Sequence, residues 1–244
     1  MPIIVTDEHG GRVARVTFDN SARGNCFDDP LLRELTETLE AAAADPDRAL
    51  IRLAMAGRHF CGGWDTSSFE GLADEPAAAV AERLRAGDAL LDRIRRLPVP
   101  VVAGVRGRVV GFGVGLLSAV HLPIAAEEAR ASLPEARFGF APAGVGHVVA
   151  RALPRALAYP LLCGLTAATA RELHAWGLVS QVVDAAELDP AVDAMVEGLL
   201  AVPGGTLRAV VEVVESSLAT GLPDRAYEVS ARTITGAGHR GATS

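Results

Sequence analysis

Residues 99–105 read Val-Pro-Val-Val-Ala-Gly-Val, a run without a charged or polar side chain and without alternation. Successive side chains of a strand point to opposite faces, so a strand of this composition is buried on both. A sheet with one wet face is thereby excluded at this point. Cover on both sides is the arrangement of parallel strands joined through helices, and the flanking sequence agrees with it. A helix is predicted from about Ala77 to Arg96, stopped by Leu97-Pro98, and a further short strand from Leu122 to Ala126.

The same alternation governs the first half of the chain. Ile3 to Thr6, a turn at Gly10-Gly11 and Arg12 to Phe18 read as strand-turn-strand, with Val16 and Phe18 on one face. Asp29 is placed to cap a helix with Pro30 at its first position, and Leu32, Leu35 and Leu39 recur at helical spacing until Asp45-Pro46. Leu50 to Met55 is a strand with Ile51, Leu53 and Met55 on one face, and it enters a loop, Gly57-Arg58-His59-Phe60-Cys61-Gly62-Gly63-Trp64-Asp65. Gly107 to Gly115 reads as a Gly-rich loop leading into a helix that ends near Ala119, and from Gly144 onward the pattern is mainly helical. No linker-like shift in composition divides the 244 residues. The expectation is one large α/β domain, with 1–190 as its core and 191–244 as a helical C-terminal region.

Composition removes several chemistries. All 23 basic residues are arginine, which excludes a Schiff-base lysine, hence attachment of pyridoxal phosphate and class I aldolase chemistry, and the phosphate-gripping lysine of a P-loop. A net charge of −7 argues against nucleic acid as the partner. Three cysteines, Cys26, Cys61 and Cys163, give an odd count with no C-x-x-C spacing, which fits a reducing cytoplasm. The N-terminus lacks a basic leader, and no stretch reaches the ~18 apolar residues of a membrane span. No membrane association is expected.

Local motifs are equally selective. There is no H-E-x-x-H and no paired-cysteine spacing, so no metal site is expected, and there is no G-x-S-x-G. Gly111-Phe112-Gly113-Val114-Gly115 invites a dinucleotide reading but fails on spacing, because the third small residue of G-x-G-x-x-G falls on Leu116. Two loops, 57–65 and 107–115, nevertheless share a character: each follows an apolar strand and each is rich in glycine. Each can expose a main-chain N–H at a turn, as a two-amide oxyanion hole requires, and each is equally compatible with an ordinary tight turn.

In their order along the chain these residues resemble the crotonase (enoyl-CoA hydratase/isomerase) superfamily. Arg58 to Asp65 resembles its x-x-F-C-A-G-x-D loop, Pro100 to Gly107 its P-V-I-A-A-V-N-G strand, and Gly111-Phe112-Gly113 its triple glycine. Ser132-Leu133-Pro134-Glu135 resembles its P-E segment and Thr169 to Val183 its A-x-E-A-x-x-x-G-L-V signature. The resemblance implies a spiral of strand-strand-helix turns with a helical C-terminal region that mediates trimers, often paired into hexamers. It implies an acyl thioester substrate, on coenzyme A or on the phosphopantetheine of an acyl carrier protein, and no other cofactor. By position it assigns the oxyanion amides to Trp64 and Phe112 and the catalytic carboxylate to Glu135. Arg58, Gly63, Gly111 and Gly113 fall on the substrate-binding loops.

The departures from the family pattern are specific. The second glutamate of its hydratases falls on Gly115, Phe112 replaces the middle glycine of the triplet, and His121 replaces the Asp that begins the next strand. A lone glutamate resembles two subgroups: the single-carboxylate enoyl-CoA isomerases, and the dehydratases of polyketide beta-branching. The second also match in Val105-Arg106-Gly107-Arg108, in Gly115 and in Ser132-x-x-Glu135-x-x-Phe138-Gly139, and are the expected subgroup; the missing second glutamate and bulky Phe112 leave a non-catalytic thioester-binding module as an alternative. Loss of hydroxide from a 3-hydroxyglutaryl-type thioester then needs a second acid. Asp65 and His59 are the candidates, with a capping role the alternative for Asp65 and a packed or surface role for His59, His121, His147 and His239. Cys61 is read as a small packed residue of its loop, and Arg23 joins Arg58 as a contact for phosphates or for a carrier's acidic surface.

Overall fold

The computed structural model describes residues 2–69, 76–139, 141–142 and 144–220. Its elements run β1 (Ile3–Glu8), β2 (Val13–Phe18), α1 (Asp29–Ala43), β3 (Leu50–Met55), α2 (Ala77–Arg95), β4 (Val101–Val105), β5 (Arg108–Val110), α3 (Phe112–Ala119), β6 (Leu122–Ala126) and β7 (Arg130–Ser132). They continue with α4 (Gly144–Ala152), α5 (Arg155–Leu162), β8 (Ala167–Thr169), α6 (Ala170–Ala175), β9 (Gln181–Val183), α7 (Leu188–Leu200) and α8 (Gly204–Thr220). Residues 221–244 of the expected C-terminal region lie outside the described residues.

The apolar strand is β4, inside a six-stranded sheet ordered β1-β2-β3-β4-β6-β9, where all pairings but β1 with β2 are parallel. Val101, Ala103 and Val105 face the main core, packed with Val16, Phe18, Ile51 and Leu53 of neighbouring strands and with Leu32, Leu35 and Leu39 of α1 and Ile94 of α2. Val102 faces the other way, into a second apolar layer of Val13, Leu50 and Ile124 covered by Leu188, Val192 and Val196 of α7. Gly104 lets α7 approach: a Cβ there would stand 3.4 Å from Val192 Cγ2. Residue 190 therefore falls inside the helix that seals the outer face of the sheet.

A smaller sheet is ordered β5-β7-β8, with β5 and β7 parallel and β7 and β8 antiparallel. It corrects the expectation of a continuous Gly-rich loop over 107–115. Arg108–Val110 pairs as a strand and Phe112 starts α3, with Gly113 and Gly115 inside the helix. The mainly helical pattern after Gly144 is likewise interrupted by β8 and β9. At α1 the cap is Asp28 rather than Asp29: its Oδ1 accepts from the Leu31 amide at 2.9 Å, which leaves Pro30 in the first turn.

Candidate active site

The loop after β3 is held in place by Asn25, a residue the sequence did not single out. Asn25 is fully buried at φ +57°, its Nδ2 donates to the carbonyls of Ala56 and His59, both at 2.8 Å, and its Oδ1 accepts from the Asn20 amide at 3.1 Å. Asparagine tolerates the left-handed region better than other side-chain-bearing residues, and here its amide also satisfies the loop backbone. The clipped loop then runs alongside β5. The Phe60 amide donates to Arg106 O at 2.9 Å, the Cys61 amide to Arg108 O at 3.1 Å and the Val110 amide to Cys61 O at 2.9 Å. Gly63 follows at φ +102°, and a Cβ there would stand 3.1 Å from Val110 O.

This pairing joins the two loops expected to supply amides. The rings of Trp64 and Phe112 meet edge-on with centroids 4.9 Å apart, and Phe112 also packs on Phe27 at 5.5 Å. Phe112 is the first residue of α3, whose opening N–H groups have no partner within the helix. Among the described residues, neither the Trp64 nor the Phe112 amide donates to a protein acceptor. Two unspent donors thus belong to residues whose rings meet, one of them at the positive end of a helix.

Glu135 completes the arrangement from the third direction. It opens a short 3₁₀ turn, Glu135–Phe138, directly after β7, and the Gly111 amide donates to Ser132 O at 2.8 Å across the small sheet. Gly111 sits at φ +51°, which favours glycine, and a Cβ there would stand 2.5 Å from Glu135 Oε1, so the carboxylate occupies the space a side chain would take. Oε2 of Glu135 is buried with no hydrogen-bond partner, and burial pushes the carboxyl above its ordinary pKa. A hydrogen bond from its own backbone amide opposes the shift, and burial outweighs it, which suits the carboxyl to take up a proton.

The other expected residues divide clearly. Asp65 accepts from the Ser67 amide at 3.1 Å and hydroxyl at 2.9 Å and pairs with Arg23 at 2.7 Å; these bonds, Ser67 first, hold its carboxyl below the usual range. An ionised cap has no proton to give at neutral pH, which argues against Asp65 as the acid. His59 accepts from the Arg108 amide through Nδ1 at 3.2 Å, and burial followed by the charges of Arg58 and Arg108 lowers its pKa, so it too is a poor donor of protons. His121 is held between the Val101 amide at 3.1 Å and the Arg95 carbonyl at 3.0 Å, a packed histidine. Arg58 is exposed beside this loop. Cys61 is fully buried and its thiol is pushed up to about 12 by burial, which excludes a thiolate nucleophile.

Gly113 and Gly115 are explained by packing inside α3. A Cβ on Gly113 would stand 2.9 Å from Cys61 Cβ, and one on Gly115 would stand 2.9 Å from Leu91 Cδ1 and 3.1 Å from Val145 Cγ2. The position of the family's second glutamate is therefore sealed by apolar side chains from α2 and α4, a fact of packing that no local sequence signal carried. A cavity of about 1150 Å³ lies elsewhere, between α2, α4 and α8, and its lining includes none of Trp64, Phe112 and Glu135.

Stacked strand-strand-helix turns closed by a helical end define the crotonase class of fold, and solved structures agree. The chain superposes on Pseudomonas aeruginosa AtuE with a TM-score of 0.86 at 27% identity, covering 97% of this chain and 93% of that one. For an enoyl-CoA hydratase of Mycobacterium smegmatis the TM-score is 0.85 at 25% identity, covering 96% and 90%. Within that class the chain belongs to the enoyl-CoA hydratase/isomerase family, which it matches over residues 8–233. A putative enoyl-CoA hydratase of Thermus thermophilus is 28% identical over 88% of this chain and 85% of its own, and the carnitinyl-CoA dehydratase of Proteus mirabilis 31% identical over 73% and 67%. A probable enoyl-CoA hydratase of Bacillus subtilis is 34% identical over 55% of this chain, a match that spans about half the length of that relative, 51%. Among the described residues no single helix is long and apolar enough to cross a membrane.

Proposed function

We propose that the chain removes the α-proton of an acyl thioester and stabilises the resulting enolate. One observation carries the reading: the unpartnered, buried Oε2 of Glu135 on a carboxyl that rests on Gly111, the residue just before the free amide of Phe112. Glu135 takes the proton, charge moves onto the thioester oxygen, and the Trp64 and Phe112 amides donate to it. Preorganised donors of this kind are worth about 3–4 kcal/mol each in acyl chemistry. Protons alone move, so the chemistry calls for no metal and no cofactor beyond the carrier, coenzyme A or the phosphopantetheine of an acyl carrier protein, with Arg58 at hand for its phosphates.

Within this class the reading is a hydro-lyase acting on a 3-hydroxyacyl thioester of the 3-hydroxyglutaryl type, as in polyketide beta-branching. It rests on the Val105-Arg106-Gly107-Arg108 and Ser132-x-x-Glu135-x-x-Phe138-Gly139 segments. The second reading is a single-carboxylate enoyl-CoA isomerase, favoured by the apolar seal of Leu91 and Val145 over Gly115. We further propose a homotrimer, or a hexamer of two, built through the C-terminal helices. Val210, Val214 and Leu218, four residues apart on α8, are 51%, 47% and 67% exposed and form an apolar stripe suited to a second copy. Three free cysteines support a reducing compartment, the cytoplasm.

The test is mass-spectrometric deuterium incorporation at the α-carbon of a panel of acyl-CoA and acyl-carrier thioesters in heavy water, for wild type and Glu135→Gln. Exchange by the wild type that is lost in the variant is the expected result. Retained exchange in Glu135→Gln overturns the assignment of the base.

A further inference from the structure

The enolate reading leaves water addition or elimination without a second proton carrier, since Gly115 has no side chain and Asp65 is an ionised cap. The packing of α2 supplies another carboxyl. Gly87, Asp88 and Leu91 share one face of that helix, at spacings of three and four. A Cβ on Gly87 would stand 4.0 Å from Trp64 Cη2, and Leu91 closes over Gly115, one turn into the helix that Phe112 begins. Asp88 thus follows the residue that meets the Trp64 ring and stands one turn before the residue that fills the place of the missing glutamate. Its carboxylate lies against Gly144, where a Cβ would collide with it, at the start of α4 and next to Val145, the other residue over Gly115.

We propose that Asp88 is the acid/base partner of Glu135 in the reaction at this site. The assignment rests on the enolate reading of Glu135. In dehydration Glu135 accepts the α-proton, the electron pair passes through the thioester enolate, and the Cβ–O bond breaks as the Asp88 carboxylic acid gives its proton to the departing hydroxide. Water leaves, with Glu135 protonated and Asp88 ionised. Hydration is the reverse: the Asp88 carboxylate takes a proton from the water whose oxygen attacks Cβ, and Glu135 returns its proton to Cα. Either direction needs one carboxyl protonated and the other ionised. Burial supports this by raising the Asp88 pKa, opposed by the charge of His147 from α4. The position has no counterpart in a local motif, because it is α2 packing on α4 that sets the carboxyl against Gly144.

Asp88→Asn separates this role from helix capping, since asparagine caps as well as aspartate but carries no titratable proton. The experiment follows crotonyl-CoA hydration, dehydration of 3-hydroxy-3-methylglutaryl-CoA and α-deuterium exchange on both, for wild type, Asp88→Asn and Asp88→Glu, with thermal melts of each. The expected result is a loss of about 100-fold or more in net water addition or elimination for Asp88→Asn, α-exchange within about threefold of wild type, and partial recovery in Asp88→Glu. Unchanged water chemistry in Asp88→Asn overturns the proposal. So does a parallel loss of exchange and water chemistry with a lowered melting temperature, which assigns Asp88 to the α4 terminus alone. Wild-type protein that exchanges the α-proton yet neither adds nor eliminates water also overturns it. No exchange by the wild type overturns the enolate reading itself, and the role of Asp88 with it.

Discussion

Glu135 combines burial with an unsatisfied oxygen, which makes its charge unfavourable to the fold and useful to the chemistry. Its folded pKa is raised, so the folded state binds more protons than the unfolded one between the two values, and stability falls as pH rises through that window. The neutral variant Glu135→Gln is therefore expected to melt above the wild type at pH 7.5, with the gap closing as pH falls below about 4.3, the ordinary glutamate value. Calorimetry at the two pH values checks this. Asp65 has the opposite sign: its pKa is lowered by Ser67 and Arg23, so its contribution is present at neutral pH and is lost as pH falls through its folded value. Asp65→Ala is expected to lower the urea midpoint at pH 7, with the difference from wild type shrinking as pH falls. Asn25→Ala removes donors from two half-buried loop carbonyls, and a loss of about 1–3 kcal/mol is expected by the same measurement.

At the scale of elements, the site is set by how α3 lies between α2, α4 and the loop that β5 carries. Gly113 and Gly115 are places where the helix touches its neighbours without a side chain between them, Cys61 on one side and Leu91 with Val145 on the other. Gly115→Ala is expected to destabilise by about 1–3 kcal/mol through overpacking. Combined with Leu91→Ala the two effects should fall short of their sum, since one change makes the room the other needs. Additive urea midpoints for the pair would show that the two helices do not compete for that space.

For the molecule as a whole, α7 is the cover that makes β4 possible. Leu188 is fully buried on the outer face of the sheet, and Leu188→Ala is expected to cost about 2–5 kcal/mol in urea, as for a core leucine. A surface site would cost within about 0.5 kcal/mol, so the measurement distinguishes a core helix from an appendage at the division near residue 190. In the assembly proposed above, the stripe on α8 is the contact between copies. Val214→Glu is expected to leave the fold intact and shift the mass measured by light scattering from a trimer toward the monomer, because a charge in an apolar interface is left unpaired.

The elements were legible where chemistry is local. Leu50–Met55 and Leu122–Ala126 fall where their apolar patterns place them, since backbone pairing and face alternation are written residue by residue. The capping of α1 was legible to within one residue, Asp28 in place of Asp29, because two adjacent aspartates offer the same oxygen to the same turn. Where the Gly-rich segment after β4 was read as a loop, β5 forms only because the 57–65 loop and β7 lie beside it to accept its hydrogen bonds. By itself the sequence determined that β4 must be covered on both faces and that Gly111 and Glu135 stand at suggestive spacings. Only the tertiary structure decided that Gly111 yields its Cβ space to Glu135, that Leu91 and Val145 fill the place of a second glutamate, and that the Asp88 carboxylate of α2 lies against Gly144 beside Val145. These are contacts between segments far apart in the chain, fixed by packing of whole helices, and no local pattern encodes them.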